Sequence, residues 1–321
     1  MSPAPVDPLD TLPLPCLVGG TAVGKTALAL ELSEQTGCEL ISLDSMQVYR
    51  GMDIGTAKAT AAEQARCPHH MLDRAEPSER YDVARYLDEV REVLCELSDA
   101  GKRYLFVGGT AFWLRALIRG LFDGPSRDPE LRARLEAVVE AEGAEALFAR
   151  LQAADPDTAE RLHPNDTRRV VRALEVFELT GEPLSKQQRE WGWHGEGEER
   201  RRDARVIGIA SEGEAYEERL RARVEEMLDE GWGEEAVGIR DGCGFGATAG
   251  KAIGYQEVLA LADGALERAA CIDEVTLRTR QFARKQRTWY RKLDEASWIE
   301  PPKEGELSVV AAEVALSLGL S

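Results

Sequence analysis

The octapeptide GGTAVGKT, Gly19 to Thr26, fits the pattern Gly-x-x-x-x-Gly-Lys-[Ser/Thr] and follows directly on the apolar run Pro15-Cys16-Leu17-Val18. Few stretches constrain a fold as much. A loop whose backbone N–H groups all turn inward at an anion needs the freedom that Gly19, Gly20 and Gly24 supply. It also needs a strand before it and a helix behind it, starting near Lys25, whose positive dipole end faces the anion. Lys25 adds a mobile cation, and Thr26 offers a hydroxyl to Mg²⁺. Gly19, Gly20, Thr21, Ala22, Val23, Gly24, Lys25 and Thr26 are therefore candidate ligands of a diphosphate or triphosphate. The loop alone does not say that the ligand is ATP.

The context agrees with that geometry. Residues 14 to 125 alternate short apolar runs with helical patterns, as βαβ units of a parallel sheet do. Strands are expected at Pro15–Val18, Glu39–Leu43 and Tyr104–Val107, and helices at Lys25–Gln35, Tyr81–Ala100 and Ala111–Ile118. After the Leu121–Pro125 boundary only helical periodicity appears, in LRARLEAVVEAEG, EALFARLQAAD and TRRVVRALEVFELTG. Trp191 to Asp203 reads as a surface linker. Val206–Ala210 returns as a strand, followed by a helix at Tyr216–Glu230, a short one from Tyr255, a basic helix, a strand at Trp298–Ile299 and a helix at Val309–Leu318. The expectation is an α/β fold with a parallel sheet flanked by helices. Residues 14–125 and 197–321 form its core, 126–196 an all-helical insertion, and 1–13 a disordered Pro-rich tail.

Composition narrows the class. The chain has 321 residues, 43% hydrophobic and 31% charged, with no apolar run of membrane-spanning length. Its start carries two acids and no Lys or Arg, unlike a secretion signal. Six cysteines without a C-x-x-C pair read as reduced packing residues of a cytoplasmic protein. The net charge of −18 argues against nucleic-acid binding until its distribution is seen. Arg278 to Lys292 holds seven of the 40 cations and none of the 58 acids, so the chain is an acidic body with one basic strip.

A nucleotide triphosphatase would also want an acid at a strand end. Tyr104–Val107 ends in Gly-Gly-Thr and offers none, and no guanine-reading N/T-K-x-D occurs. Asp44, at the carboxyl end of the second strand, is the candidate, in the crevice of a doubly wound sheet. It opens DSMQVYRGMDIGTAK. Together, GGTAVGKT, LISLDSMQVYRGMDIGTAK (40–58), CPHHMLD (67–73), FVGGTAFWLRALIRG (106–120), LHPNDTRRVVRALEVFELTG (162–181), AIGYQE (252–257) and TRQFARKQRTWYR (279–291) resemble the tRNA dimethylallyltransferases, in that family's order over about residues 15 to 300.

The resemblance implies a P-loop NTPase-like fold. It implies that the loop grips the diphosphate of dimethylallyl diphosphate, with Mg²⁺ at Thr26, and that the dimethylallyl group goes to N6 of the adenosine 3′-adjacent to the anticodon. The helical insertion would meet the tRNA anticodon stem-loop. Two loop positions depart from the family's usual Gly-Pro-Thr-Ala-Ser-Gly-Lys-Thr: Gly20 adds a backbone donor that Pro lacks, and Val23 removes a hydroxyl. Asp44 is the implied general base, and Lys25, Thr26 and the loop amides stabilise the leaving group.

The matched tRNA-contacting segments are Asp44, Ser45, Met46 and Gln47; Thr110; Arg132; Arg168, Arg169, Val170, Val171 and Arg172; and Lys251, Ala252, Ile253, Gly254, Tyr255 and Gln256. Arg223 is a candidate diphosphate ligand. Arg280, Arg284 and Arg287 lie on one face of the basic helix at i, i+4, i+7 and are set to meet phosphates, while Phe282 and Trp289 are expected to face the core. Plainer readings stand beside these: Asp44 or Thr110 as a helix cap, the arginines as a solvated face, and the Cys67–His70 cluster as structural. A P-loop kinase and a nucleotide-gated RNA-binding protein are the alternative functions. A monomer is the default.

Overall fold

The computed structural model describes residues 7–121, 124–125, 127–190, 202–210, 212–290, 293 and 296–320. They divide into two compact units, one of residues 1–118 with 202–321 and one of 119–201.

The first unit is built on a six-stranded parallel sheet. Its strands are β1 (Leu14–Gly19), β2 (Glu39–Leu43), β3 (His69–His70), β4 (Tyr104–Gly108), β5 (Ala204–Ile209) and β6 (Ala296–Ile299), in the spatial order β3-β2-β4-β1-β5-β6. Before the crossing into the second unit come helices α1 (Pro8–Thr11), α2 (Lys25–Thr36), α3 (Ala61–Arg66), α4 (Val83–Asp99) and α5 (Ala111–Arg119). The second unit holds α6 (Pro129–Glu142), α7 (Ala144–Ala154), α8 (Pro156–Arg161), α9 (Thr167–Thr180) and α10 (Leu184–Glu190). Back in the first unit are α11 (Glu214–Asp229), α12 (Trp232–Asp241), α13 (Tyr255–Ala262), α14 (Arg268–Tyr290) and α15 (Leu307–Leu318).

The central strands β1 and β4 are nearly continuous apolar runs because helices cover both faces of the sheet. All six residues of β1 are buried. The amphipathic α4 buries Tyr86, Leu87, Val90, Val93, Leu94 and Leu97, spaced at three and four. In the second unit Leu131, Leu135, Leu147, Leu151, Val170, Val171 and Leu174 form a separate helical core.

Three features of the sheet decide the site. Helix-linked parallel strands need not be neighbours, and β4 inserts between β1 and β2. The register aligns Leu43, Gly108 and Val18 across the sheet. The three segments leaving β2, β4 and β1 therefore emerge side by side at one edge, which is where open α/β sheets bind ligands.

Several expectations need correction. Residues 7–13 are not a disordered tail: Asp7 caps the short α1, Leu9 is fully buried, and Asp7 and Asp10 pair with Arg91 and Arg202. A Pro-rich composition hid one apolar anchor and two buried-side ion pairs; residues 1–6 lie outside the described residues. In the expected linker, 191–201 also lie outside them, whereas Arg202 is buried. The basic helix starts ten residues earlier than the basic strip. Its exposed aromatics are Phe282 and Trp289, not core residues, and the buried stripe is Cys271, Ile272, Val275, Ala283, Gln286 and Tyr290.

Candidate active site

The phosphate loop is built as its sequence requires. Gly19 has φ +156°, Gly24 has φ +89° and precedes the first turn of α2, and Ala22 also takes a positive φ of 56°. A Cβ on Gly19 would sit 2.6 Å from the Ile209 carbonyl, so only glycine lets the loop lie against the end of β5. Val23 is buried and packs beneath the loop. The Tyr216 hydroxyl of α11 donates to the Thr21 carbonyl at 3.1 Å.

Lys25 donates through Nζ to the Gly20 carbonyl, folding its charge back over the loop. Burial lowers its pKa to about 8; Asp44 opposes that shift and Arg223 adds to it. Arg223, from α11, has its own pKa lowered by burial, and no carboxylate pairs with it among the described residues. Two half-buried cations thus stand close enough to repel one another beside the phosphate loop, with the charges of Glu226, Glu63 and Glu230 partly offsetting the burial of Arg223. Thr26, in the first turn of α2, is exposed.

Asp44 follows β2. Burial raises its pKa, while the Met46 N–H, 2.9 Å from Oδ1, and the charge of Lys25 pull it down. The next residue is tied to the neighbouring loop, because Thr110 Oγ1 accepts the Ser45 N–H at 3.0 Å. Thr110 thus serves the Asp44 segment with its side chain, and its carbonyl begins α5 by accepting from Trp113 and Leu114. Gly108 is required where β4 meets β2, since a Cβ there would sit 2.1 Å from the Leu43 carbonyl.

Other expected contacts are placed differently. The Gln47 carboxamide is used internally: Oε1 accepts from Ser42, and Nε2 reaches the carbonyls of Thr56 and Ala57. It braces the loop and does not present an amide for a base edge. Tyr255 is buried, and its hydroxyl donates to Glu235 at 2.6 Å. Glu235 also accepts the N–H groups of Asp53, Ile54 and Gly55, so it fills that turn from α12. Ala252 is buried, Ile253 is half-buried, and Gly254 adopts φ +93° against Trp232. Lys251 and Gln256 are the exposed members of that segment.

In the second unit Arg132 and Arg172 both grip the buried Glu175, at 2.8 and 2.6 Å. Val170 and Val171 belong to the core. These four are structural here; Arg168 and Arg169 are exposed, and Arg169 pairs with Asp166. On α14, Arg280 pairs with Glu217 and Arg287 with Glu212, while Arg284 is exposed without an ion pair among the described residues. His70 meets Glu39 and His69 meets the Cys67 carbonyl, which ties that cluster to β2.

Residue-by-residue reading overlooked Gln286 and Tyr290 on α14. Both are buried against the loop end of the sheet, and Gln286 carries a polar atom, Oε1, without a partner. A glutamine four positions before a buried tyrosine and three after a buried alanine was the available signal.

Comparison with known proteins bears on this arrangement. Residues 47–293 match the family model described as IPP transferase. The loop and Asp44 precede that match. The chain is 41% identical over 295 residues to tRNA dimethylallyltransferase 2 of Syntrophus aciditrophicus, covering 91% of this chain and 93% of that one. It is 43% identical over 286 residues to the tRNA dimethylallyltransferase of Geobacter metallireducens, covering 88% and 91%. Among solved structures, the tRNA isopentenylpyrophosphate transferase of Bacillus halodurans is similar with a TM-score of 0.67 and 35% identity, over 96% and 97% of the two chains. A eukaryotic dimethylallyltransferase acting on tRNA gives a TM-score of 0.80 at 27% identity, over 94% of this chain and 77% of that one.

Proposed function

The chain belongs to the IPP transferase family, and from that premise we infer its reaction: a dimethylallyl group passes from dimethylallyl diphosphate to N6 of the adenosine 3′-adjacent to the anticodon, in tRNAs reading codons that begin with U, releasing diphosphate. The single observation carrying the residue assignments is the row formed by the ends of β2, β4 and β1, which brings Asp44, Thr110 and the Lys25 loop together.

In this reading the loop amides, Lys25 and Arg223 hold the diphosphate. An aromatic exocyclic amine is a weak nucleophile, since its lone pair is delocalised into the ring. It attacks the allylic carbon as Asp44 takes one N6 proton. The N6–carbon bond forms, the carbon–oxygen bond breaks, and the bonding pair leaves with the diphosphate. Charge building on that leaving group meets cations already desolvated and in place, which is where electrostatic catalysis is strongest. An allylic carbon shares positive charge over its double bond, so no covalent enzyme intermediate is needed.

Mg²⁺ fits the donor set. Thr26 is exposed in the first turn of α2, and its hydroxyl would hold the ion, which would neutralise the diphosphate further. The target adenosine is turned out of its stack to reach Asp44. The helical unit of residues 119–201 would meet the anticodon stem-loop with Arg168 and Arg169, and the core would add Lys251, Gln256 and Arg284. The enzyme acts as a monomer in the cytoplasm in this reading, and no helix among the described residues is long and apolar enough to cross a membrane.

The test is a transfer assay with Mg²⁺, radiolabelled dimethylallyl diphosphate and unmodified tRNA. Label in adenosine N6, lost in Lys25→Ala and Asp44→Asn, is expected. Phosphate transfer from ATP without any prenyl transfer would instead make the chain a kinase.

A further inference from the structure

Helix α14 reaches the site with its inner face. The Gln286 side chain is 6% exposed, and its Nε2 donates to the Gly109 carbonyl at 2.5 Å. That carbonyl needs a donor, so the orientation of the carboxamide is set: Nε2 toward Gly109, Oε1 away from it. Oε1 is buried and has no partner. It lies toward the phosphate loop, where a Cβ on Gly20 would be 3.7 Å from it. A Cβ on Gly109 would be 2.9 Å from Nε2 and 3.1 Å from the Gly19 carbonyl. The side chain therefore fills the contact between the two Gly-Gly-Thr loops, and Gly109 must be glycine to admit it, whereas a Cβ on Gly20 would meet it at ordinary contact distance. One turn later the Tyr290 hydroxyl is buried beside the same loop, close to the Gly19 backbone; burial and the Asp44 charge both disfavour its ionisation.

From Gly109 the contacts run on to the base. The next residue, Thr110, holds Ser45 N, and Met46 N holds Asp44 Oδ1. One helix thus touches the loop that carries Lys25 and, through Gly109 and Thr110, the segment that carries Asp44. On its outer face the same helix shows Arg284, Phe282 and Trp289.

We propose that Gln286 is a positioning residue for prenyl transfer: a strut that sets the spacing between the diphosphate-gripping loop and the Asp44 segment, and ties both to the helix whose outer face meets RNA. The proposal rests on the function inferred above. A general base and a leaving group on separate loops need fixed separation, because displacement of about 1 Å costs on the order of 100-fold in rate. A carboxamide does this as no apolar residue can, by bonding one loop while its other end lies against the second.

The test uses Gln286→Leu and Gln286→Glu in the full chain, with single-turnover transfer at saturating tRNA and dimethylallyl diphosphate. Gln286→Leu is expected to lower the rate by about 30- to 100-fold while filter binding of tRNA stays within about two-fold of wild type. Gln286→Glu gives a pH signature of its own. A protonated glutamic acid can donate to the Gly109 carbonyl, whereas a carboxylate repels it. The acid limb of Asp44 is common to both enzymes, so the rate of the Glu variant relative to wild type at the same pH should rise as pH falls. If Gln286→Leu does not fold, the Glu variant decides alone. The strut is overturned by a Leu variant within about three-fold of wild type, by a loss that lies wholly in tRNA affinity, or by a ratio of Glu-variant to wild-type rate that does not change with pH. A wild-type chain that transfers no prenyl group overturns both the strut and the function beneath it.

Discussion

Thr110 Oγ1 accepts the Ser45 N–H at 3.0 Å, so a residue leaving β4 holds the one that follows the carboxylate leaving β2. Asp44 is thereby held from two sides, by Ser45 through Thr110 and by the Met46 N–H on its own Oδ1. Asp44→Asn keeps the shape and removes the base. Turnover should fall by about 10²- to 10⁴-fold, with tRNA affinity unchanged in filter binding. Thr110→Val leaves the Ser45 N–H unpaired and should cost about ten-fold in turnover, which Thr110→Ser restores. An Asp44→Asn enzyme with normal turnover would remove Asp44 from the mechanism.

The pH profile of kcat/KM for dimethylallyl diphosphate should be bell-shaped, with limbs owned by the free enzyme. Burial raises Asp44, so the acid limb lies above the ordinary range for an aspartate, and the rate falls as pH drops through it. Burial brings Lys25 down to about 8. Above that value the free enzyme loses its ammonium and grips the anion more weakly, so kcat/KM falls as pH rises. Bound diphosphate favours the charged form, and binding near pH 8 should take up protons in calorimetry with buffers of different ionisation heat. Lys25→Arg, which does not titrate in this range, should abolish the alkaline limb; a limb that persists belongs to another group.

Glu175 is fully buried between Arg132 and Arg172 and accepts the Asp128 N–H as well. Its pKa is lowered: burial raises it, but the hydrogen bonds from the two arginines and Asp128 outweigh that. Glu175→Gln leaves two guanidinium groups without their counter-ion. The loss should be about 2–3 kcal/mol, below that of a wholly enclosed pair because the arginines keep some access to water. Urea unfolding would show it as a lower midpoint, and the chain should still bind diphosphate, whose ligands lie in the other unit. Stability here should fall as pH drops below the usual glutamate range, since the paired carboxylate binds protons less readily than the unfolded one.

Arg284, from the basic helix, and Arg132, from the family's tRNA-contacting segments, were both candidates for RNA contact but stand in different surroundings. Arg284 is exposed, and Arg132 is spent on Glu175. Arg284→Ala should reduce the salt slope of tRNA binding by about 0.7–0.9. Arg132→Ala should leave that slope unchanged and lower the unfolding midpoint instead. The reverse pattern in a binding series from low to high salt would place Arg132 on the RNA.

Local features were legible without coordinates. GGTAVGKT specified its turn because glycine, lysine and the flanking periodicity act within one strand-loop-helix unit, and the structure keeps that unit, with β1 reaching one residue past the expected strand at each end and α2 one residue past the expected helix end. Periodicity also located β2 and the α9 face, since it reports which side of an element is buried. It does not report what covers that side. The meeting of Asp44 with Lys25 depends on β4 entering between their strands, although it follows both in sequence. Gln286 lies 177 positions from the Gly109 carbonyl it holds, and the pairing of Arg132 with Glu175 spans 43. Such contacts come from the packing of whole elements, where a buried charge or amide takes whichever partner the fold brings within 3 Å or so. Residue types named the chemistry from the sequence alone; only the tertiary structure showed which arginines are paired to a buried carboxylate and which stand exposed.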